Sequence, residues 1–447
     1  VTEPLHVLVW GDVRHGPCAV YRGSMYEAAL RDLGVEMRSV NRMDQEVKVV
    51  DRNGDPFLLE MIRPEQMHAM FLSGEARIKA QVQGDDFTWA DVVMFRRYYN
   101  THYKCPVCSF RTHDKATADS HPHGYVRRQD GTGERDVITR IVWDVVSRKA
   151  QHGIVYDTDD YLAGVQPWNG FFPDIRAELP LANDMLRRAD IVTVSTPVLA
   201  KYINAYSSRV RVVRNAVNPD WYVPDEADPE DDRVRVLYYG NGARLRDYMG
   251  WPADGTPNAD QLANNDGRAI NYGRWEGGYP YKAVSELNRQ VRTVFVGAEP
   301  KTRAAISRLF EEVRPYVTGI PAFARALCNA HGDIGLAPLL GDTFDQAKSE
   351  LHWLEYSLAG CATIASRYTG GPDNGPYNMI RHGVDGVLAK GRQEWSDGMK
   401  LLLDRSRRED IAAAARERVL REYNYLDRAK EWADVFVWAA ENRGIGA

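Results

Sequence analysis

Phe344-Asp-Gln-Ala-Lys-Ser-Glu-Leu-His-Trp-Leu-Glu-Tyr-Ser-Leu-Ala-Gly360 is the stretch whose reading decides the fold. It follows the apolar run 334–337 and the turn Pro338-Leu-Leu-Gly-Asp-Thr343, and a second apolar run, 361–366, comes after it. Strand, helix and strand in that order make a parallel unit, because parallel neighbours need a crossover of helical length. Ligands of such sheets collect beyond the carboxyl ends of the strands. There the helix is read as opening at Gln346, with unpaired backbone N–H groups and with Lys348 and Ser349 in its first turn, which suits a diphosphate. Glu355 lies about two turns beyond Lys348 on the same face, where a carboxylate accepts hydrogen bonds from two ribose hydroxyls. On spacing alone, a surface helix with ordinary charges is the alternative.

The same alternation extends in both directions. Strand-like runs at 5–10, 35–40, 90–95, 153–157, 191–195 and 210–213 form one series. Runs at 234–239, 293–296, 334–337, 362–365 and 386–388 form another, with helical patterns between them. The reading is α/β, with two doubly wound parallel-sheet domains. The Asp-, Glu- and Pro-rich segment 219–232 marks the boundary. Residues 1–218 form the first domain and 219–424 the second. The helical C-terminal segment, with 425–447 assigned to it, is long enough to cross back to the first. Segments 98–135 and 248–281 interrupt the rhythm with polar, Gly- and Pro-containing sequence, and loops of that length are usually functional or disordered.

A chain of 447 residues that is 44% hydrophobic and 27% charged supports two cores. Its net charge of −5 argues against a wholly basic nucleic-acid binder. Neither a long apolar span nor a secretory leader pattern is present, so no transmembrane span is expected and the chain reads as cytoplasmic. Cys18, Cys328 and Cys361 are isolated and read as core thiols.

Lys348-Ser349-x-Leu351-x-Trp353-Leu354-Glu355-Tyr356-x-x-Ala359-Gly360 resembles the donor-site helix of family 4 glycosyltransferases of the GT-B fold. His382-Gly-Val-Asp-Gly-Val-Leu388, Val155-Tyr-Asp-Thr-Asp-Asp160, Ala189-Asp-Ile-Val-Thr-Val-Ser-Thr-Pro197 and Val212-Val-Arg-Asn-Ala-Val217 match in order. The resemblance implies two Rossmann-like domains facing across a cleft, and a retaining transfer from a UDP- or GDP-linked sugar without a catalytic divalent metal. It makes Glu355 the ribose ligand. The family's sugar-reading Glu falls at Ala347, and Asp345 or the backbone of 340–343 is the proposed substitute. Lys348, and Arg244 after the first strand of the second domain, are the phosphate-side cations. After the first strand of the chain, Gly16 lets the backbone approach the sugar, and His15 contacts the sugar or the acceptor. Asp159 and Asp160 are read as acceptor-side or helix-capping carboxylates.

Cys105-Pro-Val-Cys108, twelve residues, then His121-Pro-His123 is a zinc-finger-like ligand set. The short His–His spacing leaves His113 as a substitute for either histidine. A Zn²⁺ with four protein ligands is structural. Residues 96–150 hold eleven Lys and Arg against six Asp and Glu, with Tyr98, Tyr99, Tyr103 and Tyr125 interleaved. A basic, aromatic insertion suits a polyanion. Some phage enzymes resembling this family modify DNA, so a hydroxymethylated DNA base is the first expectation for the acceptor, in a bacterium or phage-infected host. A transferase of bacterial surface polysaccharide or glycolipid is the second expectation, and a non-enzymatic nucleic-acid-binding module the third.

Overall fold

The runs VVMFR and GIVYDT are buried at every position, as a central strand covered on both faces requires. They belong to the first of two six-stranded sheets in a computed structural model that describes residues 3–10, 20–40, 47–51, 76–80, 89–96, 103–104, 111–112, 143, 146–147, 151–165, 172–225, 232–240, 245–249, 251–252, 275–276 and 279–446. In chain order the strands of the first half are β1 Leu5–Trp10, β2 Val35–Val40, β3 Val47–Asp51, β4 Ala76–Ala80, β5 Val92–Arg96, β6 Tyr103–Lys104, β7 Arg111–Thr112, β8 Gly153–Thr158, β9 Ile191–Val194 and β10 Val210–Val212. Those of the second half are β11 Val234–Tyr239, β12 Trp251–Pro252, β13 Trp275–Glu276, β14 Val291–Ala298, β15 Glu312–Pro315, β16 Ile334–Ala337, β17 Ala362–Ser366 and β18 Val387–Ala389.

The first sheet runs β10-β9-β8-β5-β1-β2 and the second β15-β14-β11-β16-β17-β18, with every neighbouring pair parallel. Counted from its own first strand, the second sheet has the dinucleotide-fold order 3-2-1-4-5-6. The order reverses at β1/β5 in one sheet and at β11/β16 in the other, the switch points where such sheets bind ligands. Three antiparallel pairs, β3–β4, β6–β7 and β12–β13, stand outside the sheets. The expected α/β architecture of two parallel-sheet domains is present.

Two local readings need correction. β15 was not anticipated, because Glu-Val-Arg-Pro is an edge strand whose charges leave no apolar run to read. The donor segment is not one helix from Gln346. Helix Thr343–Gln346 ends, residues 347–350 are non-helical, and a second helix spans Leu351–Leu358.

The C-terminal helical segment divides at Tyr423-Asn424, where the Asn424 side chain accepts from Leu426 N and caps helix Tyr425–Glu441. That helix buries Trp432, Val435, Phe436 and Ala439 against β1, β5 and β8 of the first sheet. Gly153 permits this approach, because a Cβ there would collide with the Ala439 backbone. Cys328 and Cys361 are buried free thiols; Cys18 lies outside the described residues.

Candidate active site

A cavity of about 570 Å³ opens between the carboxyl ends of the two sheets. The first domain contributes Tyr21, Arg22, Asp159, Asp160 and Asn215 to its wall. The second contributes Tyr239, Gly240, Gly297, Thr318, Lys348, Ser349, His352 and Glu355. The break at 347–350 brings Lys348 and Glu355 to one cavity. It turns Lys348 and Ser349 out of the helical path, while Leu351 and His352 place the start of the second helix on the wall. Gly335 on β16 allows the Tyr356 ring to lie against the strand, since a Cβ would occupy the ring's position. Tyr356 Oη donates to Leu336 O at 3.1 Å, so the helix carrying Glu355 is seated directly on the sheet.

The first domain grips the non-helical connector from several sides. Thr196 Oγ1 donates to Ala347 O at 3.2 Å, Asn215 Nδ2 to Ser349 Oγ at 2.9 Å, and Arg214 Nη1 to Glu350 Oε1 at 3.2 Å. Tyr202 Oη donates to Gln346 Oε1 at 3.1 Å, and Phe344 packs with Val165 and Ile175. Ala347 is fully buried in the first domain's apolar cluster with Val194 and Leu199. Ala347, where the resemblance implies a sugar-reading Glu, therefore makes an interdomain contact and is not among the cavity-lining residues.

Asp345 is also set back from the cavity. It is fully buried and is not a cavity-lining residue; its Oδ2 accepts from Leu340 N at 3.1 Å and ties down the turn after β16. His15, Gly16, Arg244, Cys105, Cys108, His113, His121 and His123 lie outside the described residues. Among the described residues no three His, Cys, Asp or Glu side chains gather as a metal site.

Residues 282–434 match the family described as Glycosyl transferase-like. No curated protein matches the chain. In fold the chain is similar to a sucrose-phosphate synthase from Thermosynechococcus elongatus (13% identity, covering 97% of this chain and 98% of that one, TM-score 0.57). It is also similar to HepE (Alr3699) of Anabaena in complex with UDP and glucose (12%, 96% and 99%, TM-score 0.50) and to a glycosyltransferase from Rickettsia africae (10%, 98% and 99%, TM-score 0.50). The two parallel-sheet domains have the GT-B arrangement.

Within the matched span, Glu355 is the buried carboxyl group on the cavity wall. Its Oε1 accepts from Tyr21 Oη at 2.6 Å and its Oε2 from Tyr239 Oη. Tyr21 Oη lies 3.0 Å from Tyr222 Oη. Burial pushes Glu355 up to about 8, and the Tyr21 hydrogen bond opposes the shift. Burial also raises Tyr21 and Tyr222 well above the usual phenol range, so both remain donors. The three tyrosines were missed from the sequence; Tyr21 is 334 residues from Glu355, and no local spacing signals such a contact.

The acidic run divides by role. Asp157 is buried, pairs with Arg22 and accepts from Thr193 Oγ1 at 2.7 Å. Asp159 and Asp160 line the cavity, and Lys348 Nζ donates to Asp160 Oδ1 at 3.2 Å. The Lys348 ammonium also sits 4.0 Å from the centre of the Phe344 ring. Among the described residues no helix is long and apolar enough to cross a membrane.

Proposed function

We propose that this chain is a glycosyltransferase that moves a sugar from a nucleotide-sugar donor to a hydroxyl acceptor, with retention of anomeric configuration. The observation that carries the reading is the placement of Glu355, Lys348 and the start of helix Leu351–Leu358 on one cavity at the switch points of both sheets. Glu355 takes the ribose. Lys348, Ser349 and the amides at the helix start take the diphosphate, where cationic charge stabilises the leaving group without a divalent metal. Arg244 is the second cation, and the cavity position of Gly240 just before it supports that role. His15 and Gly16 lie between β1 and Tyr21, which is itself on the cavity wall. In the transfer, the bond from C1 to the phosphate oxygen breaks as the acceptor oxygen bonds C1 from the same face. The acceptor proton passes to the departing phosphate. A UDP-linked donor is supported by the nucleotide in the Anabaena structure.

For the acceptor, the first reading is a hydroxymethylated base in DNA, flipped from its duplex into the cleft. The basic segment 96–150 supports it, because that segment leaves the sheet at the cavity end of β5. There Arg96 lies 3.7 Å from Asp157. The β6–β7 ladder pairs Tyr103 with Thr112 and Lys104 with Arg111, enclosing the six residues that include Cys105 and Cys108. This supports a structural Zn²⁺ held with His121 and His123, which would brace the insertion. A surface-glycan or glycolipid acceptor is the rival, and binding to hydroxymethylated duplex against anionic vesicles separates the two.

The deciding experiment is a thermal-shift panel of nucleotide sugars. One of them raises the melting temperature, and Glu355→Ala removes the rise. A panel without any shift overturns the reading, and complete loss of transfer in EDTA overturns the metal-independent chemistry.

A further inference from the structure

Glu355 faces the cavity with both of its oxygens already engaged by phenols from opposite domains. Tyr239 ends β11 of the second domain, whereas Tyr21 comes from the first. Tyr222, in the connection after β10, lies against Tyr21. All four side chains are buried, none more than 6% exposed. An ionised carboxyl group has about four lone-pair sites. The two tyrosines occupy one site on each oxygen, which leaves one on each. Two adjacent hydroxyls, donating side by side, fill that remainder.

We propose that Tyr21 is a positioning residue for the donor: with Tyr239 it holds Glu355 as a four-site acceptor whose two remaining sites take the vicinal hydroxyls of a ribose. The inference rests on the nucleotide-sugar reading above and adds a requirement to it. The ribose site is complete only when the first domain is in place, because the first domain supplies Tyr21. A deoxyribose fills one site and leaves the other without a partner in a buried setting, where an unmade hydrogen bond is expensive.

A proton is linked to this binding. Glu355 is pushed up to about 8, so near neutral pH it is largely protonated in the empty site. The protonated group cannot accept four hydrogen bonds, and the diol therefore drives the proton to the buffer. Among the described residues, the titratable groups around Glu355 are Tyr21 from the first domain, Tyr222 from the connection between the domains, Tyr239 from β11, and His352 and Tyr356 on its own helix. None of these is a Lys or Arg that would ionise Glu355 beforehand.

The test is calorimetric titration of the full chain with UDP and with 2′-deoxy-UDP, in two buffers of different ionisation enthalpy. Wild type binds UDP about tenfold or more tightly than the deoxy form. It releases close to one proton at pH 6.5 and much less at pH 9. Tyr21→Phe weakens UDP about tenfold, leaves the deoxy form nearly unchanged, and brings the ratio toward one. A wild-type ratio in Tyr21→Phe, or UDP binding without proton release at pH 6.5, overturns the proposal. Should Tyr21→Phe fail to melt cooperatively, Tyr239→Phe, which removes the donor to Glu355 Oε2, takes its place, and an unreduced ratio there overturns the proposal equally. If neither UDP, GDP nor ADP binds wild type, the donor reading itself fails and this inference falls with it.

Discussion

Lys348 reaches across the cleft to Asp160, its ammonium nitrogen 3.2 Å from Oδ1, and each side chain is less than one-fifth exposed. The two domains thus meet at the cation proposed to hold a phosphate. Under the proposed function, a diphosphate entering the cavity would compete with Asp160 for Lys348 and free that carboxylate for the acceptor.

Removing either partner separates the two roles. Lys348→Ala lowers kcat on the order of 10²-fold, as loss of a charge aimed at a leaving group does. Asp160→Asn removes the competitor and tightens UDP binding several-fold, while kcat falls if the carboxylate serves the acceptor. Steady-state kinetics with a UDP titration check both. Weaker UDP binding in Asp160→Asn contradicts the competition.

Stability depends on pH through Glu355. Its folded value of about 8 lies above the ordinary 4.5, so between those limits the native state holds a proton that the unfolded chain releases. Stability from this group is full below about 4.5 and falls as pH rises toward 8. Glu355→Gln removes that slope. Melting temperatures at pH 5.5 and 8.5 show the variant gaining on wild type at the higher pH.

Ala347→Glu introduces the residue type that the sequence resemblance implies at this position but places it in the interdomain contact. A carboxylate at this fully buried site would sit in an apolar cluster with Val194 and Leu199. The change costs on the order of 3 kcal/mol, measured by urea unfolding, and it does not improve donor binding.

Gly335→Ala drives a methyl group into the Tyr356 ring. Overpacking of this kind costs about 1–3 kcal/mol, and relief comes by lifting the helix that carries Glu355. The donor KM rises with the loss of stability, whereas Gly153→Ala, against the C-terminal helix, lowers stability without a matching change in KM.

The parallel strands were legible because they are continuous apolar runs buried on both faces, as at Val92–Arg96. β15 was not, because an edge strand needs little apolar sequence. Lys348, Ser349 and Glu355, the residues proposed for the donor, were singled out through their order in the chain. Their geometry was misread, since the break at Ala347 depends on Thr196, Asn215 and Arg214 holding the connector from the other domain.

By itself, the sequence determined two α/β domains and the segment that would meet a nucleotide sugar, because burial periodicity and local turn chemistry are written in neighbouring residues. Only the tertiary structure decided what surrounds that segment. It placed Tyr21 against Glu355, Tyr222 against Tyr21, Asp160 against Lys348, and Ala347 inside the first domain. These contacts join residues more than a hundred positions apart, and packing of two domains, which no local pattern encodes, is what brings them within hydrogen-bonding distance.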